Sequence, residues 1–187
     1  MRLARDKYVV VGADFCGLPL KDAVKAHLAI RGWTVDDLTP TLDSTLMYHR
    51  VGFLVGSRIA EGMYEKALVF DGTGMGSHIA ASKCPHVHAA VAETIQAARR
   101  AATANGANLL AMGALWTAPP LACAMADAFL EGYLGNGYER WEGFYDYHEL
   151  GYRECDAFDY EAFRGNGFSV PNAGEPWLGP EPPGLSF

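Results

Sequence analysis

Residues 67–76 read Ala67-Leu68-Val69-Phe70-Asp71-Gly72-Thr73-Gly74-Met75-Gly76. Four apolar residues in succession are a buried strand rather than a helix, because the run is short and turn residues stop it. The stretch Ser77–Ser82 that follows the glycines reads as a short helix. A strand that passes through glycines into a helix is the repeating unit of a parallel sheet.

The same alternation continues on both sides. Upstream, Tyr8–Val11 is a compact apolar run ending at Gly12. Leu18–Ile30 then places Leu20, Val24, His27 and Leu28 on one face, and Arg31-Gly32 closes that helix. Trp33–Val35 is a short strand, Asp36–Ser44 a polar loop, and Tyr48–Ala60 a helix ended by Glu61-Gly62. Downstream come a strand at Val87–Val91, a helix at Thr94–Ala104, a strand at Leu109–Met112 and a helix at Ala118–Leu134 with Pro119 and Pro120 in its first turn. Five strand–helix units predict an α/β protein: a Rossmann-like three-layer α/β/α domain with a five-stranded parallel sheet over residues 1–134, followed by a C-terminal extension over 135–187. In such a sheet, Asp14, Asp71–Gly76 and the residues after Val91 gather at the carboxyl edge.

Composition narrows the class. The chain has 187 residues, half of them hydrophobic and 20% charged, which suits one folded domain and excludes a wholly disordered chain. No apolar run approaches a membrane span. The apolar stretch near the start is too short for a secretory signal. Cys16, Cys84, Cys123 and Cys155 lie far apart with no CxxC pair, so they read as free thiols of a cytoplasmic protein. The net charge of −7 is carried wholly by residues 133–187, where Arg140, Arg153 and Arg164 face ten carboxylates. With no basic face, nucleic acid is not an expected partner. That segment also holds 13 of the 22 aromatic residues, so it is expected to pack over a neighbouring subunit and rim its site, the alternative being that it wraps its own domain.

The glycine loop leaves two readings open. Its spacing is GxGxG, without a GKS or GKT, which suits either an anion cradle or a tight turn. Asp71 stands at the end of a buried strand. A desolvated carboxylate there suits proton abstraction beside a carbonyl, with the following amides and the Thr73 hydroxyl stabilising the oxyanion. The alternative is that Asp71 caps the next helix. His86 and His88 form an HxH pair that could bind metal on a strand. The preferred reading assigns no metal site and makes His88 a polar group near substrate or interface. Glu93, just beyond a strand, is either a second acid–base group or the start of the next helix.

The order of motifs resembles a known family. Gly12-Ala13-Asp14-Phe15-Cys16-Gly17 with Leu20-Lys21 is similar to the opening GADHAG…LK of type B ribose-5-phosphate isomerases and galactose-6-phosphate isomerases. Asp71–Gly76 followed by Ile79-Ala80-Ala81-Ser82-Lys83 resembles their CGTGxG…IAANK, and Asn105–Asn108 with Leu110–Ala114 resembles NDANVLALGAR. The likeness covers residues 7–132. It implies dimers, or tetramers, with each site at a subunit boundary. It also implies a metal-free, cofactor-free aldose–ketose isomerisation through an enediolate.

Carried over, Asp14 contacts substrate hydroxyls, Tyr48 matches the tyrosine of a DYP segment, and Gly72, Thr73, Gly74 and Gly76 match the oxyanion loop. Asn105 matches an asparagine that holds substrate, and Asp71 stands where the main branch has its catalytic cysteine. The departures are Phe15 for a histidine, Glu93 for a histidine that assists ring opening, His88 and Leu115 for arginines, and Ser77 where some members use a glutamate. The C-terminal arginines that grip phosphate have no counterpart. Asp71 is therefore expected to be the base, Phe15 its apolar wall, and the substrate a sugar or sugar phosphate recognised differently from ribose 5-phosphate. The alternative function is a non-catalytic sugar- or nucleotide-binding regulator on the same scaffold.

Overall fold

The computed structural model describes residues 1–41 and 46–170. Five strands, β1 (Tyr8–Ala13), β2 (Thr34–Asp37), β3 (Ala67–Asp71), β4 (Ala89–Val91) and β5 (Leu109–Gly113), form one sheet in the order β2-β1-β3-β5-β4. Every pairing is parallel. The fold is thus the expected Rossmann-like α/β/α arrangement.

Period-two alternation divides each central strand between two cores. Val9, Val11, Leu68, Phe70, Leu110 and Met112 face one side, under the helices α1 (Leu18–Ile30), α4 (Ile95–Thr103) and α5 (Pro119–Leu130). Val10, Ala67, Val69, Leu109 and Ala111 face the other, under α2 (Tyr48–Ala60) and α3 (Met75–Ala81). Both faces are covered, which is why these strands read as unbroken apolar runs.

The chain leaves β1 for one side of the sheet and β3 for the other. Helix α1 covers the first core and α3 the second. The loops after β1 and β3 therefore part company, opening a crevice at the topological switch point.

Three local expectations change. Asp36 and Asp37 belong to β2 rather than a loop, because they pair with Val10 and Val11. Helix α3 starts at Met75, two residues early, since Asp71 serves its first-turn amides. Helix α5 stops at Leu130 rather than Leu134. The buried Lys66 Nζ donates to the Phe129 carbonyl at 2.8 Å and to that of Gly132, so the chain turns where a buried cation meets the helix end.

The extension holds two helices that apolar periodicity did not mark, α6 (Phe144–Asp156) and α7 (Tyr160–Gly165), the latter capped by Asp159 Oδ1. Tyr152 of α6 stacks on His88 with ring centroids 4.0 Å apart, so the extension lies against its own domain in the single chain. Residues 171–187 of the extension lie outside the described residues, as do positions 42–45 of the loop before α2.

Candidate active site

Two loops meet at the crevice, and glycines let them meet. The Asp14 amide donates to the Phe70 carbonyl at 3.1 Å, and Gly17 presses against the end of β3, where a Cβ would lie 2.2 Å from the Phe70 oxygen. Gly74, at φ +78°, folds the second loop over Met112 and Gly113. Tyr48 at the start of α2 lays its ring on Gly76, so close that a Cβ there would stand 2.4 Å from it. Asp14, Tyr48 and Gly72–Gly76 are thereby gathered at one end of the sheet. Phe15, in the loop after β1, and Leu115 and Trp116, in the loop after β5, are exposed at this end of the sheet. Trp116 escaped the sequence reading because no spacing rule marks a loop indole.

The two carboxylates differ in what holds them. Asp71 is 3% exposed, and Oδ1 accepts the Thr73 amide at 2.7 Å and the Gly74 amide. Its Oδ2 accepts the Ser77 amide at 2.8 Å. Asp71 therefore does what the capping alternative expected: it ties the loop to the first turn of α3. The Thr73 and Gly74 amides, expected to face an oxyanion, are spent on Asp71. Among the described residues the Gly72 and Gly76 amides have no recorded acceptor. They are the loop donors left for a ligand.

Asp14 is also buried, at 6% exposure, and its Oδ1 accepts the Gly17 amide at 2.8 Å. Burial pushes its carboxyl above the ordinary value near 3.8, the Gly17 amide opposes this, and the Asp71 charge adds to it. Cys16 lies on the same turn, 3.8 Å from where a Gly72 Cβ would be. Burial and then the charges of Asp14 and Asp71 push its thiol up, so it is neutral near pH 7. The Thr73 Oγ1 accepts the Met75 amide at 3.2 Å, which leaves its own proton free to donate.

The remaining expected residues are elsewhere. Glu93 follows β4 at the same edge, exposed and two strands from β3, about 10 Å away. Helix α4 is capped by Thr94, whose Oγ1 accepts the Ala97 amide at 3.1 Å. His88 and Asn105 precede β4 and β5, so they lie at the opposite edge, about 17 Å along a five-residue strand. His88 is engaged there: its Nε2 is 3.1 Å from Asp156 Oδ1 and its ring lies on Tyr152. His86 Nδ1 reaches the same carboxylate at 3.0 Å. No group of three or more metal-binding side chains is found among the described residues. No helix among them is long and apolar enough to cross a membrane.

A switch-point crevice with two buried carboxylates, a hydroxyl and unclaimed glycine amides defines a site for moving protons on an oxygen-rich molecule. Residues 9–142 match the family model described as Ribose/Galactose Isomerase, and the chain belongs to that family. It is accordingly an enzyme of the aldose–ketose isomerase class. A 4-deoxy-4-sulfo-D-erythrose isomerase of Clostridium sp. (strain MSTE9) is 36% identical over 71% of this chain and 84% of its own length. A D-erythrulose-4-phosphate isomerase of Pectobacterium atrosepticum is 30% identical over 69% of this chain and 86% of its own. Among solved structures, ribose-5-phosphate isomerase B of Clostridium thermocellum superposes with a TM-score of 0.71 at 26% identity, covering 87% of this chain and 99% of that one.

Proposed function

We propose that this chain interconverts a four- or five-carbon aldose and its ketose through an enediolate in the crevice between β1 and β3. The observation that carries the reading is the pairing of two buried carboxylates with the unclaimed Gly72 and Gly76 amides. The carboxylates supply acid–base chemistry, and the amides hold the oxygen on which charge develops. No metal or cofactor enters this scheme. Asp14, Tyr48 and the Gly72–Gly76 loop bind the sugar, and Phe15 walls the crevice.

The substrate differs from ribose 5-phosphate in how its far end is recognised. Among the described residues the charges acting on Asp14 and Cys16 are those of carboxylates, so this half of the site disfavours a terminal anion and accepts the neutral, hydroxyl-bearing end. The named activities of the two relatives above are on four-carbon sugars with a sulfonate or a phosphate at the end, which supports a short substrate.

Asn105 and His88 reach the crevice only from a second copy, because they occupy the other edge of the sheet. The exposed apolar side chains of Phe53 on α2, Met75 and Ile79 on α3, and Leu115 and Trp116 after β5 support pairing into a homodimer. The test is proton NMR in deuterium oxide with D-ribose 5-phosphate, D-erythrulose 4-phosphate, 4-deoxy-4-sulfo-D-erythrose and free D-erythrose. Deuterium at the carbon next to the carbonyl, fastest for a four-carbon compound, is expected. If no sugar exchanges while one still binds, the chain acts as a binding protein instead.

A further inference from the structure

The isomerase reading needs one group that takes a proton from one sugar carbon and returns it to the next. We propose that Asp14, rather than Asp71, is that catalytic residue, and that the Thr73 hydroxyl carries the proton between the two oxygens. This assignment rests on the isomerase reading above.

The first argument is the count of donors. Asp71 accepts three backbone N–H groups, through both oxygens. Those bonds hold Thr73, Gly74 and Ser77 in place, and they leave Asp71 built into the backbone of the loop rather than aimed at a ligand. Asp14 accepts one close amide, that of Gly17 at 2.8 Å on Oδ1, with the Cys16 amide acting more weakly on the carboxylate.

The second argument is position. Asp14 hangs on the end of β3 through its amide, and Gly17 touches the Asp71 backbone, where a Cβ would sit 2.7 Å from its nitrogen. A substrate oxygen on the Gly72 amide therefore lies beside Asp14. Third, burial raises the proton affinity of Asp14 and the Asp71 charge adds to it, and together they outweigh the opposing amides of Gly17 and Cys16.

The step balances without a co-reactant. Asp14 removes the proton from the hydroxyl-bearing carbon next to the aldehyde. The C–H electron pair becomes the new C=C bond, and the carbonyl π pair moves onto oxygen as the enediolate, held by the Gly72 and Gly76 amides. Thr73 gives its hydroxyl proton to that oxygen and takes the one on the neighbouring hydroxyl. The second oxygen then re-forms a carbonyl, and the freed pair takes the proton back from Asp14 onto the former aldehyde carbon.

The experiment compares Asp14→Asn, Asp14→Glu and Asp71→Asn in deuterium oxide, with D-erythrulose 4-phosphate and D-ribose 5-phosphate as probes. Asp14→Asn is expected to lose about 10³-fold in both isomerisation and exchange with less than about fivefold change in KM. Asp14→Glu recovers part of the exchange. Asp71→Asn is expected to lower Tm and raise KM while exchange persists. Exchange by Asp14→Asn within tenfold of the parent overturns the assignment. So does complete loss of exchange in Asp71→Asn at an unchanged Tm. A parent protein that exchanges neither probe nor any other sugar overturns the isomerase reading itself.

Discussion

Lys21 Nζ lies 2.7 Å from Asp37 Oδ2, and both side chains are buried beneath the loop that carries Asp14. The same nitrogen donates to the Thr39 carbonyl at 2.6 Å, and Thr39 Oγ1 accepts the Ala13 amide at 2.8 Å. One ion pair thus fixes the start of α1, the end of β2 and the last residue of β1. Removing one partner of a buried pair leaves a stranded charge, so Lys21→Met is expected to cost about 3–5 kcal/mol in urea unfolding at pH 7. A cost below about 1 kcal/mol would show that Lys25, also 2.8 Å from Asp37, suffices alone.

The pair also sets an acid limit. Burial raises the Asp37 carboxyl, but Lys21, Lys25 and the Thr39 amide outweigh it and hold the group below its ordinary 3.8. A depressed folded value means that the stabilisation is present above about pH 4 and is lost as pH falls through that folded value. Unfolding free energy should therefore fall below pH 4, and Asp37→Asn should flatten that fall while lowering the plateau at pH 7.

Asp14 has the opposite sign. Its folded carboxyl is raised by burial and by Asp71, so its ionised form is held at a cost above about pH 4, and that cost disappears in acid where the group is protonated. Asp14→Asn should raise Tm at pH 7 by a few degrees and leave it unchanged at pH 3, while activity falls. A site that is strained for chemistry behaves in this way. Equal Tm at both pH values would remove the electrostatic reason given for its proton affinity.

The sheet was legible because Val9–Val11, Ala67–Phe70 and Leu109–Met112 are apolar throughout, a pattern only strands covered on both faces require. The place of the site was legible for the same reason, since strand order sends α1 and α3 to opposite faces and leaves Asp14 and Asp71 between them. What Asp71 does there was not legible. A carboxylate at a strand end reads alike as base or cap, and the choice depends on where three backbone amides point. The edge that His88 occupies was not legible either, because an HxH pair says nothing of which end of the sheet it stands at. The helix α6 was hidden because its contacts with the body mix an aromatic side chain, Tyr152 against His88 and Gly106, with a carboxylate, Asp156 against His86 and His88, and so leave no apolar period to read.

Gly17 and Gly76 separate backbone from side-chain crowding. A Cβ at Gly17 meets the Phe70 carbonyl and the Asp71 amide, both fixed in β3, so Gly17→Ala must push the Asp14 turn away from the sheet. Loss of about 3 kcal/mol and of nearly all activity is expected. At Gly76 the obstacle is the Tyr48 ring, which is partly exposed and able to swing aside. Gly76→Ala should cost under about 1.5 kcal/mol yet raise KM, and Tyr48→Ala in the same chain should restore the stability without restoring KM.

Tyr152 offers a test of how the extension is held. Its ring is stacked on His88 at 22° and packs against Gly106, where a Cβ would stand 2.7 Å from the ring and the φ of +64° disfavours any side chain. Burial and then Asp156 push its phenol up to about 12, so the hydroxyl stays neutral through the working range. The stacking is thus apolar and aromatic, while Asp156 supplies the polar half through His86 and His88. Tyr152→Phe should change little. Tyr152→Ala should speed amide hydrogen exchange across 144–156 about tenfold, equivalent to roughly 1.4 kcal/mol of local opening, with exchange in β1 and β3 unchanged. A rise spread over the whole sheet would mean instead that α6 is part of the cooperative core and not a separately docked element.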